Sequence, residues 1–321
     1  MTRYKETPLD DTVEIETSSS TSKTGRQPTQ SLQWWHGWAP LFIFPGSVLL
    51  FAPQDWPRWA VMWLLAVAIF VGCKWLTWRR ADIRGAPLWR HLGYLMAWPG
   101  LDAPGFITSK RASAPAKPAR SEWLFAFAKV AVGIAILFGL TRYVPAEYPY
   151  LVVWVGMVGI AFILHFGVFH LLSCAWRAIG VMARPLMNWP LRATSLSEFW
   201  GQRWNTAFRD LTHRFLFRPL SKRLGPGGAI FTGFVFSGLV HDLVISVPAG
   251  GGYGGPTLFF LLHGAGMLIE RSRAGRALGL GTGWQGRIFT LVMLIAPALL
   301  LFHWPFVTEV VMPFLEVLRA V

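Results

Sequence analysis

From Trp38 onward the chain is a succession of apolar runs, near 38–52, 58–75, 123–141, 149–172, 228–248, 256–270 and 287–304, with a shorter one near 306–319. A helix rises 1.5 Å per residue, so about 20 apolar residues cross a bilayer core. The pattern predicts an all-α, polytopic integral membrane protein with seven to eight transmembrane helices, the shorter runs tilted or re-entrant. Residues 1–36 break the pattern. Ser, Thr, Asp and Glu crowd there without a hydrophobic period, so a disordered tail is expected over 1–36 and a transmembrane domain over 37–321. No internal repeat is visible along the runs.

Two connections are long and half-apolar, as interfacial amphipathic helices are. "APLWRHLGYLMAWPG" (86–100) mixes Trp, Leu, Tyr and Met with Arg90 and His91. "LSEFWGQRWNTAFRDLTHRFLFRPLSKRL" (196–224) does the same with more aromatic mass. Ser195 or Ser197 can cap its helix, with Glu198 in the first turn. Each segment is either an interfacial anchor with snorkelling arginines or part of a site.

Composition agrees with the pattern: 53% of the 321 residues are hydrophobic and 14% charged, where a soluble domain is about a quarter charged. The formal charge of +14 is concentrated in alternate connections. Nine basic residues lie from Lys74 to Arg120, nine from Arg177 to Arg223, and four more over 271–287. The intervening connections, 52–57, 141–150 and 248–256, carry only Arg142. Such asymmetry assigns the basic loops and the N-terminus to the cytoplasm. It also accounts for the charge without nucleic acid, since no basic face is free of adjoining membrane segments. Cys73 and Cys174 are too few for a disulfide framework and read as small buried hydrophobes. The polar start predicts no cleavable signal peptide. The expected location is multi-pass in the bacterial inner membrane, or in the endoplasmic reticulum of a eukaryote.

Few residues in such a chain can do chemistry. In "ATSLSEFWGQRWN" (193–205), Phe199, Trp200, Arg203, Trp204 and Asn205 fall within two helical turns. The four-residue spacing of Trp200 and Trp204, and of Phe199 and Arg203, predicts a shared face for each pair. An aromatic belt explains the tryptophans. Asn205 is either a cap or turn residue, or a neutral donor and acceptor for a ligand. His241, in "SGLVHDL" (237–243), stands about 20 Å along the helix that follows Gly228, inside the hydrocarbon thickness. An ionisable residue there is a functional candidate by default, the alternative being a histidine satisfied by a neighbouring helix. Asp242 points about 100° away. Gly238 leaves space beside His241 for a substrate or another helix. His263 is a second intramembrane histidine, next to Gly264 and Gly266. His165 and His170 are five apart, unlike the four-residue spacing of a zinc pair, and no metal is expected. "GGGYGG" (250–255) lacks the lysine of a phosphate loop and reads as a turn. Ser237 and Ser246 have no nucleophile elbow around them.

"ATSLSEFWGQRWN", "SGLVHDL" and "FFLLHGAG" (259–266), in that order, resemble the wax synthase-like branch of the membrane-bound O-acyltransferase superfamily. "WPGLD" (98–102) is similar to a short upstream element of that branch, so the resemblance covers roughly 98–270. Gln202 stands where arginine is usual in the branch, and Asp242 where glutamate is usual. The resemblance implies transfer of an acyl group from acyl-CoA to the hydroxyl of a lipophilic alcohol. A long-chain fatty alcohol giving a wax ester is the first expectation; sterol, terpenoid and diacylglycerol acceptors stay open. It implies His241 as the catalytic base and Asn205 as its polar partner, with no bound cofactor. Trp200, Arg203, Trp204, Arg209 and His263 are the expected contacts to acyl-CoA and alcohol, with lipid headgroups as rival partners for the arginines. Two other classes fit the same intramembrane His241, Asp242 and His263: a transporter or channel, and a catalytically silent lipid-binding relative.

Overall fold

The structure is a computed structural model that describes residues 32–108 and 116–321, with side chains from residue 36 on; the expected tail lies, up to residue 31, outside the described residues. Every regular element among the described residues is helical. Helix α1 (Leu32–Phe51) and α2 (Arg58–Arg79) pair as a hairpin around the polar turn 52–57. Two short helices follow, α3 (Leu88–Ala97) and α4 (Ala103–Thr108). α5 (Arg120–Tyr143) and α6 (Pro149–Ala178) form the next pair. After a basic connection come the short α7 (196–203) and the 44-residue α8 (Thr206–Ala249). α9 (Gly255–Arg271), the short α10 (Arg273–Ala277), α11 (Gly283–Leu301) and α12 (304–317) complete the order.

All eight apolar runs fall in helices. Among the described residues α2, α5, α6, α8 and α11 are long and apolar enough to cross a membrane, whereas the apolar part of α1, His36–Phe51, and α9 and α12 are shorter. The chain is an integral membrane protein built on these apolar helices. Their outward faces carry large exposed side chains, including Leu50, Phe51, Leu124, Val292 and Ile295, which suit contact with lipid.

The amphipathic stretch 86–100 does form a helix, α3, that buries Gly93 and Tyr94 and exposes Leu88, Trp89, Leu92 and Met96. Lys74 fastens it to α2. Its buried ammonium donates to the Gly100 carbonyl at 2.6 Å and sits 3.6 Å from the centre of the Tyr94 ring, while Thr77 and Tyr94 share a hydrogen bond of 2.6 Å. Burial pushes the Tyr94 hydroxyl pKa up. The second stretch, expected as one segment over 196–224, is divided. Asn205 adopts a left-handed backbone (φ 42°) that ends α7 and starts α8, and Gly225 (φ 69°) bends α8 just before Pro226. Residues 206–224 of this stretch, read from sequence as an interfacial anchor or part of a site, are thus the first part of the helix that carries His241.

Three apolar clusters hold the bundle. One joins Leu76, Tyr94, Trp98 and Phe106 to Val181 and Leu211. A second joins Leu137 and Val153 to Ile245, Val307 and Leu315. A small third cluster, Phe259, Phe260 and Ala298 with Trp154, Trp200 and Phe234 against it, brings α7, α8 and α9 together. The candidate chemistry sits there.

Candidate functional site

Helix α7 is short but tightly capped. The Ser195 hydroxyl accepts from the Glu198 N–H at 2.9 Å, so Ser195, of the two candidate serines, is the cap. The buried Glu270 carboxylate accepts from the Leu196 and Ser197 N–H groups at 2.8 and 2.9 Å. Glu198 in turn accepts from the Thr194 N–H at 2.7 Å and from Arg203 Nε at 2.7 Å. Burial works to raise the Glu198 pKa, but those donors outweigh it and hold the carboxyl below the usual range.

The helix then opens into a wider turn over Phe199–Arg203, in which the Trp204 N–H bonds the Phe199 carbonyl five residues back at 2.9 Å. This separates residues that an ordinary α-helix would align. Trp204 stacks on Phe199, with centroids 5.7 Å apart, and on His165 at 6.3 Å. Trp200 faces the other way, meeting Phe234 at 5.8 Å, Phe260 at 5.7 Å and His263 at 5.5 Å. The shared face expected for Trp200 and Trp204 is therefore absent. Arg203 also departs from Phe199: it pairs with Glu198 at 2.5 Å and donates to the Asn188 carbonyl at 3.2 Å.

Asn205 serves as the cap of α8. Its Oδ1 accepts from the Phe208 N–H at 3.3 Å and its own N–H meets Met187 Sδ at 3.2 Å. The amide nitrogen is the end of its side chain left for another partner. His241, part-buried, donates from Nδ1 to the Ser237 carbonyl at 2.7 Å. A carbonyl only accepts, so Nδ1 carries the hydrogen and Nε2 holds the lone pair of the neutral ring. The ring lies 4.4 Å from that of Phe260. His263 repeats the arrangement, with Nδ1 2.8 Å from the Phe259 carbonyl. Asn205 and His241 share no hydrogen bond; Trp204, Phe199, Trp200 and Phe260 run between them as successive ring contacts.

The space beside Gly238 is filled by protein. A Cβ there would lie 2.7 Å from Thr257 Cα, so α9 occupies the room that sequence left open to a helix or a substrate. Asp242 turns away from His241, accepting from the Gly254 N–H at 2.9 Å, the Thr257 N–H at 3.0 Å, the Thr257 hydroxyl and the Ser246 hydroxyl at 2.8 Å. Ser246 continues to His303 Nε2 at 3.1 Å. The glycine-rich turn is thereby pinned to α8 rather than free.

A cleft of about 1410 Å³ opens beside this cluster. Lys129, Arg184, Arg192 and Arg209 face it together with Asp102, Glu122 and Asp210, while Val132, Trp154, Val158 and Phe162 give it an apolar side. Trp204 lines it; Asn205, His241 and His263 do not. Among the described residues, exposed Arg209 is ion-paired with its neighbour Asp210, at 2.8 Å. At the cleft wall Glu122, His170 and Cys174 bring three ligand-type atoms within 4.8 Å of one another. Arg177 is ion-paired to Glu122, however, and Lys129 lies 2.8 Å from His170 Nδ1, so the group is a hydrogen-bonded charge network.

Residues 183–262 match the membrane bound O-acyl transferase family. Over those residues the chain is similar to that family. The matched stretch holds α7, Asn205, His241 and Phe260 and stops one residue before His263. Among curated relatives, a probable long-chain-alcohol O-fatty-acyltransferase 1 of Arabidopsis thaliana is 36% identical over 29% of this chain and 30% of its own. The long-chain-alcohol O-fatty-acyltransferase of Simmondsia chinensis is 31% identical over 29% of each chain. An acyl-CoA–sterol O-acyltransferase 1 of Arabidopsis thaliana is 33% identical over 25% of this chain and 27% of its own. The alignment with each of these three spans under a third of the relative's length. Sequence reasoning missed Glu270, His303 and the stacking of His165 on Trp204. Glu270 and His303 lie far along the chain from Leu196 and Ser246, the groups they meet, and the spacing of His165 bears only on a zinc pair.

Proposed function

We propose that the protein transfers an acyl group from acyl-CoA to the hydroxyl of a lipophilic alcohol, with long-chain fatty alcohols as first acceptors and wax esters as products. One observation carries the reading: within the family-matched stretch, His241 is held by the Ser237 carbonyl in the tautomer that leaves Nε2 basic. The alcohol oxygen attacks the thioester carbonyl carbon as Nε2 takes the hydroxyl proton, a contribution of about 10²–10⁴-fold. The tetrahedral intermediate expels the CoA thiolate, which recovers that proton from the imidazolium; a C–O bond has replaced a C–S bond. Asn205, separated from His241 by four rings, orients the acyl donor through its amide nitrogen and does not reach the reacting carbonyl. Both ends of acyl-CoA suit the cleft, its phosphates the basic side chains and its acyl chain the apolar wall. Arg209, exposed at the cleft and, among the described residues, ion-paired with its part-buried neighbour Asp210, is the strongest phosphate contact among the proposed arginines, and the basic connections lie on the cytoplasmic side where the donor is found.

The test is ester formation by purified protein given labelled acyl-CoA and a panel of alcohols. The expected result is ester that His241→Ala removes while the melting temperature holds. Ester unchanged by His241→Ala overturns the role of His241, and none with any acceptor overturns the acyltransferase reading.

A further inference from the structure

Two polar atoms in the α7–α9 cluster are buried without a partner, Trp200 Nε1 and His263 Nε2. They are complementary. The indole N–H can only donate. His263 Nδ1 is spent on the Phe259 carbonyl, so its Nε2 can only accept in the neutral ring. The His263 ring is fully buried and meets Trp200 at 87° with centroids 5.5 Å apart. A buried donor and a buried acceptor on touching rings, neither satisfied and neither open to solvent, gain from a guest that parts the rings and completes both bonds.

The chemistry of the pair selects the guest. A carbonyl or ether oxygen satisfies the indole alone, and an ammonium the imidazole alone. A hydroxyl accepts from the first and donates to the second. The surrounding rings of Phe234, Phe259 and Phe260 leave no further polar demand, which fits a hydroxyl on a hydrocarbon body. Phe260 also touches His241, so the guest lies one ring from the proposed base.

We propose that Trp200 Nε1 and His263 Nε2 together receive the hydroxyl of the acceptor alcohol as a holding position, from which it passes Phe260 to react at His241. The identity of the guest rests on the acyltransfer reading; the binding itself needs no turnover. A buried water offers the same donor and acceptor, and the experiment separates the two sources.

The full chain in lipid nanodiscs, without acyl-CoA, is titrated with dodecanol and with dodecyl methyl ether, an analogue that accepts but cannot donate. The wild type is expected to prefer the alcohol about tenfold. His263→Leu removes the acceptor and levels the two ligands. His263→Gln restores an acceptor and part of the preference. Trp200→Phe weakens both ligands and keeps the preference. Equal affinity of the wild type for both ligands means that a water or nothing holds the site, and overturns the proposal, as does a preference that survives His263→Leu. Should His263→Leu lower the melting temperature too far for titration, the Trp200→Phe and His263→Gln patterns decide. This pattern without ester formation fells the acyltransfer reading and leaves the hydroxyl site standing; ester formation with a flat pattern does the reverse.

Discussion

The Glu270 carboxylate, at the end of α9, accepts from the first two backbone N–H groups of α7, those of Leu196 and Ser197. The helix that carries His263 is thereby tied to the helix that carries Trp200, two turns from the point where their rings meet. The carboxylate also opposes the positive end of α7. Glu270→Gln replaces one accepting oxygen by an amide that itself donates, leaving a buried N–H unpaired. The expected loss is about 1–3 kcal/mol of stability, read as a lower melting temperature, with activity falling in parallel.

Glu198 gives the start of α7 a pH dependence of known sign. Its folded pKa lies below the usual value because Thr194 and Arg203 donors outweigh burial. A depressed carboxyl contributes stability that is present above its unfolded pKa, about 4.3, and is lost as pH falls through the folded pKa. Glu198→Gln should therefore lower the melting temperature at pH 7, and the gap to wild type should close as the pH is taken below 4. A gap independent of pH would assign the effect to packing.

Arg203 and Arg209 looked alike in sequence and are placed differently. Arg203 is committed to Glu198 and the Asn188 carbonyl, whereas Arg209 is exposed at the cleft and, among the described residues, ion-paired with its neighbour Asp210. Arg209→Ala is expected to raise the KM for acyl-CoA several-fold with kcat nearly unchanged, and the difference should shrink with added salt. Arg203→Ala is expected to lower the melting temperature instead. Reversal of the two outcomes would move the phosphate contact to Arg203.

Much of this was legible in the sequence because membrane burial leaves a strong signature. Each apolar run became a helix, and His241 stood out because an imidazole within hydrocarbon is expensive. Local geometry was less visible. A wide turn over Phe199–Arg203 has no composition signal, so the four-residue spacing of Trp200 and Trp204 pointed to a shared face that the extra residue in the turn removes. Asn205 left two roles open, and the structure records the cap, a bond to its own chain three residues on. Partners distant in sequence, Glu270 with Leu196 and His303 with Ser246, leave no periodic trace. Asp242, expected to point about 100° from His241, does so, but its partners in the turn at 254–257 are not visible in the sequence.

Two glycines on α8 set up an internally controlled test of how closely His241 must be placed. Gly238, one turn before His241, lies against Thr257 of α9, where an added Cβ would come within 2.7 Å of a backbone atom. Backbone cannot rotate aside, so Gly238→Ala must push α8 and α9 apart, at about 1–3 kcal/mol for an overpacked contact. The same movement takes His241 from Phe260, 4.4 Å away, so ester formation should fall more than stability alone explains. Gly233, five residues earlier on the same helix, has open space where a Cβ would stand, with nothing within 4 Å, so Gly233→Ala meets no clash and gains about 1 kcal/mol of helix propensity. Melting temperatures and initial rates of the two variants, measured side by side, check the argument. If both alanines behave alike, the contact of α8 with α9 at Gly238 does not position the histidine.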